Sequence, residues 1–172
     1  MLRAARSAPA TLVSDLIRSA KNMSFISKLF RKKPSYIHPV FGTMGFSNIR
    51  SGQSYWEGHA YFAPTKTTIE VFVDGDESGV AAGTEEFYEE AQKRYQGLVI
   101  AFRPEINRQL SGLSKIRVPD DFDASYRLSS ISVIDRKIRS DWTLFFDCLF
   151  DENFSVSIEL DDWDHGIVTV DS

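Results

Sequence analysis

The chain has 172 residues, which suits one domain with an appendage, and 42% of them are hydrophobic, which is enough for a buried core. The net charge of −4 hides an asymmetry. Residues 1–36 carry eight Lys and Arg against one acid, and the remainder carries twelve against twenty-three, a charge of −11. So acidic a domain repels phosphates, which argues against nucleic-acid binding and favours a basic protein partner or simply a soluble surface. No run of 18 apolar residues is present to span a membrane, and a single cysteine, Cys148, rules out a disulfide within the chain.

Residues 1–36 are predicted to form a basic N-terminal extension, partly disordered or with a short helix, ahead of a single α+β domain over residues 37–172. The first 22 residues are rich in Arg, Ala and Ser and contain one acid, a composition typical of a mitochondrial transit peptide. Met23 opens a second credible protein start. In that case residues 1–22 are upstream sequence and the protein is cytoplasmic, which is the favoured interpretation.

A short segment after Met23 has apolar residues followed by three cations. Such a basic amphipathic segment can touch an anionic membrane surface, which would make the protein a peripheral membrane-associated factor. The favoured alternative is a helix that docks at the domain edge, or a loosely ordered lead-in. The residues of this segment are Phe25, Ile26, Leu29, Phe30, Arg31, Lys32 and Lys33.

Alternation of apolar and polar residues predicts two hairpins, each with one fully apolar face. In the first hairpin, pairing Phe62 with Thr67 brings this face into register, and Gly58 and Ala60 at its centre predict a groove into which a helix packs. In the second hairpin, Phe150 is predicted to pair with Phe154. The predicted strands, in chain order, cover residues 38–47, 55–62, 67–74, 127–135, 142–150, 154–160 and 167–170.

The stretch Thr84–Leu113 predicts one long helix, because apolar residues recur there at steps of three and four and therefore share one stripe. Thr84 is a candidate N-cap and Gly112 a candidate left-handed C-cap. Pro104 removes a backbone donor and predicts a kink, which is favoured over two helices because the stripe keeps its phase. The stripe consists of Phe87, Ala91, Tyr95, Leu98, Val99, Phe102, Ile106 and Leu110.

Together these elements predict an α+β fold, with a mostly antiparallel sheet of six to seven strands and the one long kinked helix packed on one face. The polar face of the first hairpin is then left to meet other molecules. An exposed aromatic patch rimmed by acids fits the basic surface of a protein partner, unless the N-terminal segment or a loop covers it. The predicted partner-binding residues are Tyr55, Glu57, His59, Tyr61, Glu70 and Phe72.

Motifs of catalysis are absent from the sequence: it has no phosphate-binding glycine loop, no Gly-x-Ser-x-Gly and no His-Glu-x-x-His. Two alternatives stay open for a small metal-dependent hydrolase. His59 faces Glu70 across the first hairpin as a candidate acid–base pair, and the turn that contains Asp164 and His165 could hold a divalent ion. The favoured interpretation assigns no catalytic, metal or cofactor residue, and takes Cys148 as a small buried hydrophobe.

Three short motifs accompany the one long helix: Pro39-Val40-Phe41-Gly42, Trp56-Glu57-Gly58 and a closing Trp163-Asp164-His165-Gly166. With these motifs the chain resembles, over about residues 38–170, a group of small bacterial domains of unknown function. Some relatives of that group are filed as immunity proteins of polymorphic toxin systems. The closing motif of the group often has Glu before the His, where this chain has Asp164.

The resemblance implies an α+β domain without known catalysis, with protein binding as its role, and it points to no functional residues. It also favours Met23 as the start over a mitochondrial leader. The expected function is therefore that of a non-enzymatic, soluble protein-interaction domain. Through the resemblance, it would be one that neutralises a basic toxin domain.

Overall fold

The computed structural model describes residues 34–48, 54–113, 121–133 and 141–171. The first strand begins at Ser35, two residues before the predicted start of the domain. Residues 1–33 lie outside the described residues, and so do the predictions of a transit peptide and of a basic amphipathic segment that rest on them.

Over the described residues the chain forms nine strands and two helices. The strands are β1 (Ser35–His38), β2 (Gly42–Asn48), β3 (Ser54–Phe62), β4 (Thr67–Asp76), β5 (Gly79–Val80), β6 (Tyr126–Val133), β7 (Asp141–Cys148), β8 (Ser155–Asp161) and β9 (His165–Asp171). The helices are α1 (Thr84–Leu113) and α2 (Phe122–Ser125).

The main sheet has the strand order β1-β2-β3-β4-β6-β7-β8-β9, with the short β5 paired to β4 outside this order. All neighbouring strands are antiparallel except β4 and β6, which are parallel. A parallel pair needs a long crossover, and α1 lies in that crossover. The sheet therefore consists of two antiparallel meanders placed side by side, and the helix belongs to the connection between them.

The α+β class, the single long helix and the mostly antiparallel sheet are confirmed, whereas the predicted count of six to seven strands is wrong. Residues 38–47 form a hairpin rather than one strand, because the chain turns at Pro39–Phe41 and returns as β2. The His38 ring fixes this turn, since its Nδ1 accepts hydrogen bonds from the amides of Val40 (3.2 Å) and Phe41 (3.3 Å). The second additional strand is β5.

The register of the first hairpin is confirmed: Phe62 pairs with Thr67, and Trp56 pairs with Val73. The register of the second hairpin is wrong by two residues, because Val156 pairs with Phe146 and not with Cys148. The connection is longer than predicted. Strand β7 ends at Cys148 and leaves the ladder with β8 early, because the amide of Leu149 donates to the carbonyl of Ser125 (2.8 Å). An even shift keeps every side chain on its predicted face.

Helix α1 has the predicted bounds, and it continues through Pro104 without splitting. Its caps differ from the prediction. Gly83 has φ of +83°, and its carbonyl accepts the first helical hydrogen bond, from Phe87, while the hydroxyl of Thr84 donates to the carbonyl of Ala81 (2.7 Å). Gly112 lies inside the helix with a negative φ, so it is not the left-handed C-cap.

The predicted stripe of α1 is buried against one face of the sheet, the inner face, with Phe102 only half-buried and Tyr88 added. The ring of Phe62 on β3 meets that of Tyr95 edge-on at 5.1 Å, and Trp142 on β7 meets Phe87 in the same way at 5.1 Å. The helix thus contacts both meanders, which makes one continuous core.

The predicted groove at Gly58 is present, but the helix does not fill it. A Cβ atom at Gly58 would lie 2.7 Å from the carbonyl oxygen of Phe41 and 3.0 Å from the side chain of Met44. The turn between β1 and β2 therefore occupies the groove. The carbonyl of Phe41 in this turn accepts a hydrogen bond from the amide of His59 (3.1 Å).

The β3–β4 hairpin and the β7–β8 hairpin each contain a buried tryptophan near the start of the first strand. The indole N–H of Trp56 donates to the carbonyl of Asp76 (2.9 Å), and that of Trp142 donates to the carbonyl of Asp162 (2.6 Å). Both donors are twenty residues before their acceptors and join the start of one strand to the end of the next. In each hairpin the ring supplies core volume and its nitrogen supplies a donor to the turn.

Replacement of Trp56 by Ala should lower the free energy of unfolding by about 3–5 kcal/mol, since it removes a fully buried ring. Trp56→Phe keeps most of the packing and removes only the donor to the Asp76 carbonyl, so we expect a smaller loss of about 1–3 kcal/mol. Urea unfolding of the two variants checks this. Equal losses for Phe and Ala would contradict the role assigned to the ring.

Two glycine-to-alanine changes should shift stability in opposite directions. At Gly75 a Cβ atom would collide with the carbonyl oxygen of Gly79 and lie 2.5 Å from the Trp56 ring, so Gly75→Ala should destabilise the fold by about 1–3 kcal/mol. Gly97 is exposed on α1 and has open space around it, so Gly97→Ala should stabilise by about 0.5–1 kcal/mol. Thermal unfolding of both variants is the measurement, and a stabilised Gly75→Ala would contradict the β4–β5 geometry.

Candidate interaction surface

The face of the sheet opposite α1, which we call the outer face, carries all six predicted partner-binding residues. Strand alternation places them there in adjacent positions on β3 and β4. Glu57 pairs with Phe72, His59 pairs with Glu70, and Tyr55 lies one step away beside Asp74. The six residues are Tyr55, Glu57, His59, Tyr61, Glu70 and Phe72.

Aromatic and aliphatic side chains on the outer face are accessible to solvent. Tyr61 is 60% exposed, and Tyr55 and Phe72 are half-buried against each other, with ring centroids 6.1 Å apart in an edge-on arrangement. The second meander adds Phe145 and Ile167, which lie on the same side of the sheet. No described helix packs on this side, because the buried stripe of α1 belongs to the core of the inner face.

The outer face is acidic. Along the ladders of β3 with β4 and of β6 through β9, the outward side chains that the structure describes include seven acids and one arginine, Arg127. Much of the net negative charge of the domain thus lies on the side of the sheet that no described element covers. The acids are Glu57, Glu70, Asp74, Asp147, Glu159, Asp161 and Asp171.

An open hollow of about 520 Å³ lies on the outer face where the two meanders meet. The ladder between β4 and β6 runs from the Glu70–Ser130 pair to the Val73–Val133 pair. Both strands begin earlier, β4 at Thr67 and β6 at Tyr126, and these first residues are not paired with each other. The hollow lies where this ladder has stopped. Its lining comes from four strands. Strands β3 and β4 supply His59, Thr67, Thr68 and Glu70 on one side, and β6 and β7 supply Arg127, Leu128, Ser129 and Asp147 on the other.

Two cross-strand ion pairs frame the hollow, and they differ in strength. Arg127 donates to one oxygen of Asp147 from both Nε (3.1 Å) and Nη2 (2.7 Å). The Nε2 of His59 lies 3.9 Å from Oε1 of Glu70, beyond hydrogen-bond distance, and the imidazole is charged only when protonated. The sequence alone pointed to the weaker pair. It missed the stronger one, because Arg127 and Asp147 are twenty residues apart and no local pattern joins them.

The geometry of His59 and Glu70 is that of an exposed cross-strand contact. Their side chains are 60% and 51% exposed, so neither is desolvated as an acid–base pair in an active site usually is. Of the hydroxyl side chains beside them, Thr68 is exposed, whereas Ser130, which pairs with Glu70, is buried. The pair has the chemistry of a polar, charge-bearing contact for another molecule.

The second candidate site, around Asp164 and His165, lies at the turn between β8 and β9. Asp162 has φ of +61°, and its carbonyl accepts the Trp142 indole, so its backbone has a structural role. Both Asp164 and His165 are exposed. In the part of the chain that the structure describes, no three His, Cys, Asp or Glu side chains lie close enough together to hold a metal ion.

The conspicuous residues of the three short motifs serve the core. Trp163, which is half-buried, stacks on Phe87, with ring centroids 4.9 Å apart, and meets Trp142 edge-on at 5.1 Å. The guanidinium of Arg94 lies 5.0 Å from its ring. Phe41 and Trp56 are fully buried. These side chains join turns to the sheet and to α1.

Comparison with models of protein families, with curated proteins and with solved structures gives no match for this chain. Of the helices in the described ranges, neither is long and apolar enough to cross a membrane.

Cys148 is buried, as predicted for a small hydrophobe. Burial raises the pKa of its thiol to about 11, with smaller contributions from the charges of Asp147 and Asp151. Burial likewise raises the pKa of the Tyr126 hydroxyl to about 12. Neither group is poised as a nucleophile, because the thiolate and the phenolate are the forms that the core disfavours.

Cys148 should therefore react with a disulfide reagent at pH 8 at least about a hundredfold more slowly in the native protein than in urea. The reason is that a pKa raised from the ordinary 9 to about 11 lowers the fraction of thiolate by that factor.

The raised pKa of Cys148 also stabilises the fold while the thiol is neutral in both the folded and the unfolded state. This stabilisation is present below pH 9, the ordinary value of the thiol, and is lost as the pH rises through about 11. Rapid labelling of the native protein at pH 8 would contradict the burial.

Proposed function

We propose that this domain is a non-enzymatic interaction module that binds a basic protein partner through the outer face of its sheet. The observation that carries the proposal is the combination of exposed aromatic rings with seven acids on a sheet face that no described element covers. Large aromatic side chains provide contact area at low entropic cost, and acids around them select a positively charged surface.

The size of the outer face supports a protein partner. Eight strands about 4.8 Å apart and about seven residues long, at about 3.3 Å per residue, cover a projected area of roughly 800 Å². That area is what one partner contributes to an interface of standard size, about 800 Å².

The charge of the face argues for a different protein as partner rather than for a second copy of this chain. Two copies placed face to face would bring seven acids against seven, with one Arg127 on each side to offset them. Like charges directly opposite one another in an interface are destabilising. A basic protein neutralises the acids instead, and long-range attraction speeds its association.

A narrower form of the proposal is that the partner is a basic toxin domain and that binding neutralises it. This form rests on the resemblance of the Pro39–Gly42, Trp56–Gly58 and Trp163–Gly166 motifs to bacterial immunity-related domains. The acidic face is compatible with it, because immunity requires tight binding and no chemistry. No specific contact at His59 and Glu70, or at Asp164 and His165, favours a hydrolase over this function.

A photo-crosslinking amino acid placed at position 61 should capture a basic protein, because Tyr61 is the most exposed of the described aromatic side chains on the outer face. The same amino acid at position 100 is the matched control, since Ile100 is equally exposed (68%) but lies on the solvent side of α1. The protein encoded beside this gene is the first candidate for capture. Equal capture from both positions would contradict an outer-face interface.

With the captured protein purified, Tyr61→Ala and Phe72→Ala should each weaken its affinity about fivefold or more, as expected for aromatic anchors worth about 1–2 kcal/mol. Ile100→Ala should leave the affinity within twofold. Affinity should also fall as salt is raised, since the acids are exposed and screened. Calorimetric titration gives these values, and unchanged binding by both aromatic variants would overturn the proposed surface.

A further inference from the structure

We propose that the hollow between β4 and β6 receives an arginine side chain of the partner, whose guanidinium binds the carboxylate of Glu70. This inference rests on the proposed function and adds to it the chemistry of the central contact. The hollow lies at the middle of the strand order, between the two meanders, so a partner that contacts both meanders covers it.

The shape of the hollow follows from the parallel pair. Since the β4–β6 ladder ends at Glu70 and Ser130, the strand segments beyond it are not held together by backbone hydrogen bonds. A flat sheet face offers a partner only shallow contacts, whereas a hollow of about 520 Å³ has room for one long side chain. The remaining outward positions of the sheet surround it as a rim.

The charges select a cation, and Glu70 is the group that binds it. The carboxylate of Asp147 is already neutralised by the two N–H donors of Arg127. Glu70, half-exposed, has among the described residues only the ion pair with His59 at 3.9 Å. With His59 neutral, the charged groups of the lining add up to −1, contributed by Glu70, Asp147 and Arg127. An anionic ligand would have to approach both acids.

The groups around Glu70 favour arginine over lysine. A guanidinium places two parallel N–H donors on a carboxylate, whereas an ammonium binds as a point charge. Tyr61 pairs with Thr68, one step along the outer face from His59 and Glu70, and 60% of it is exposed. Its ring can therefore stack on a guanidinium held by Glu70. The hydroxyl oxygen of Thr68 is an acceptor for a further N–H of the same group.

The test uses two peptides of equal charge, tri-arginine and tri-lysine, titrated into the full chain and followed by calorimetry and by the NMR shifts of the His59 ring. We expect tri-arginine to bind at least fivefold more tightly, with the larger shifts at His59. Glu70→Gln should weaken tri-arginine binding about tenfold. The matched control Glu159→Gln removes an equal charge from an exposed position of the same face, on β8 and outside the hollow, and should change the affinity less than threefold.

Tyr61→Leu should remove much of the preference for tri-arginine while leaving tri-lysine binding nearly unchanged. Equal affinity for both peptides would overturn the proposal, and so would equal losses in Glu70→Gln and Glu159→Gln, since each means that the face attracts cations by diffuse charge alone. Absence of tri-arginine binding at millimolar concentration would overturn it too. None of these results touches the partner capture at position 61, which tests the proposed function separately.

Discussion

The burial of one helix stripe on one face of the sheet is the interaction on which the rest of the structure depends. Helix α1 lies in the crossover between two antiparallel meanders, and its apolar residues share a single core with the inner face of both. A crossover of this kind sets β6 parallel to β4, which fixes the order of all the strands that follow. Because α1 and the short α2 both contribute to the core of the inner face, the described elements cover only that side of the sheet.

The two sides of the sheet consequently have different roles. The residues that look most distinctive in the sequence, Trp56, Trp163 and Phe41, serve the inner side, where they fix turns and fill the core. The outer side has an ordinary alternation of aromatic, hydroxyl and acidic residues, yet it carries the surface charge and the hollow. A distinctive motif in this chain therefore marks a constraint of packing, and function is assigned to residues that no motif singles out.

The parallel pair of β4 and β6 joins the two meanders, and it adjoins the hollow on the outer face. Four residues on each strand form the parallel pair, and the hollow lies beyond its end. Arg127 and Asp147 neutralise each other on one wall, while Glu70 on the other wall keeps a carboxylate for an incoming group. The proposed recognition site thus lies where the backbone ladder between β4 and β6 ends.

The sequence by itself determined the bounds of α1, the register of the first hairpin and the inward or outward direction of the residues in the two predicted hairpins, including all six on the predicted surface. These depend on local periodicity, which a chain displays without knowing its neighbours. Only the tertiary structure decided the two-residue shift of the second hairpin, the turn that fills the groove at Gly58, and the adjacency of β4 and β6. These depend on contacts between residues far apart in sequence, such as Leu149 with Ser125, for which periodicity has no signal. The hollow belongs to this second group, because its two walls come from separate meanders that the fold brings together.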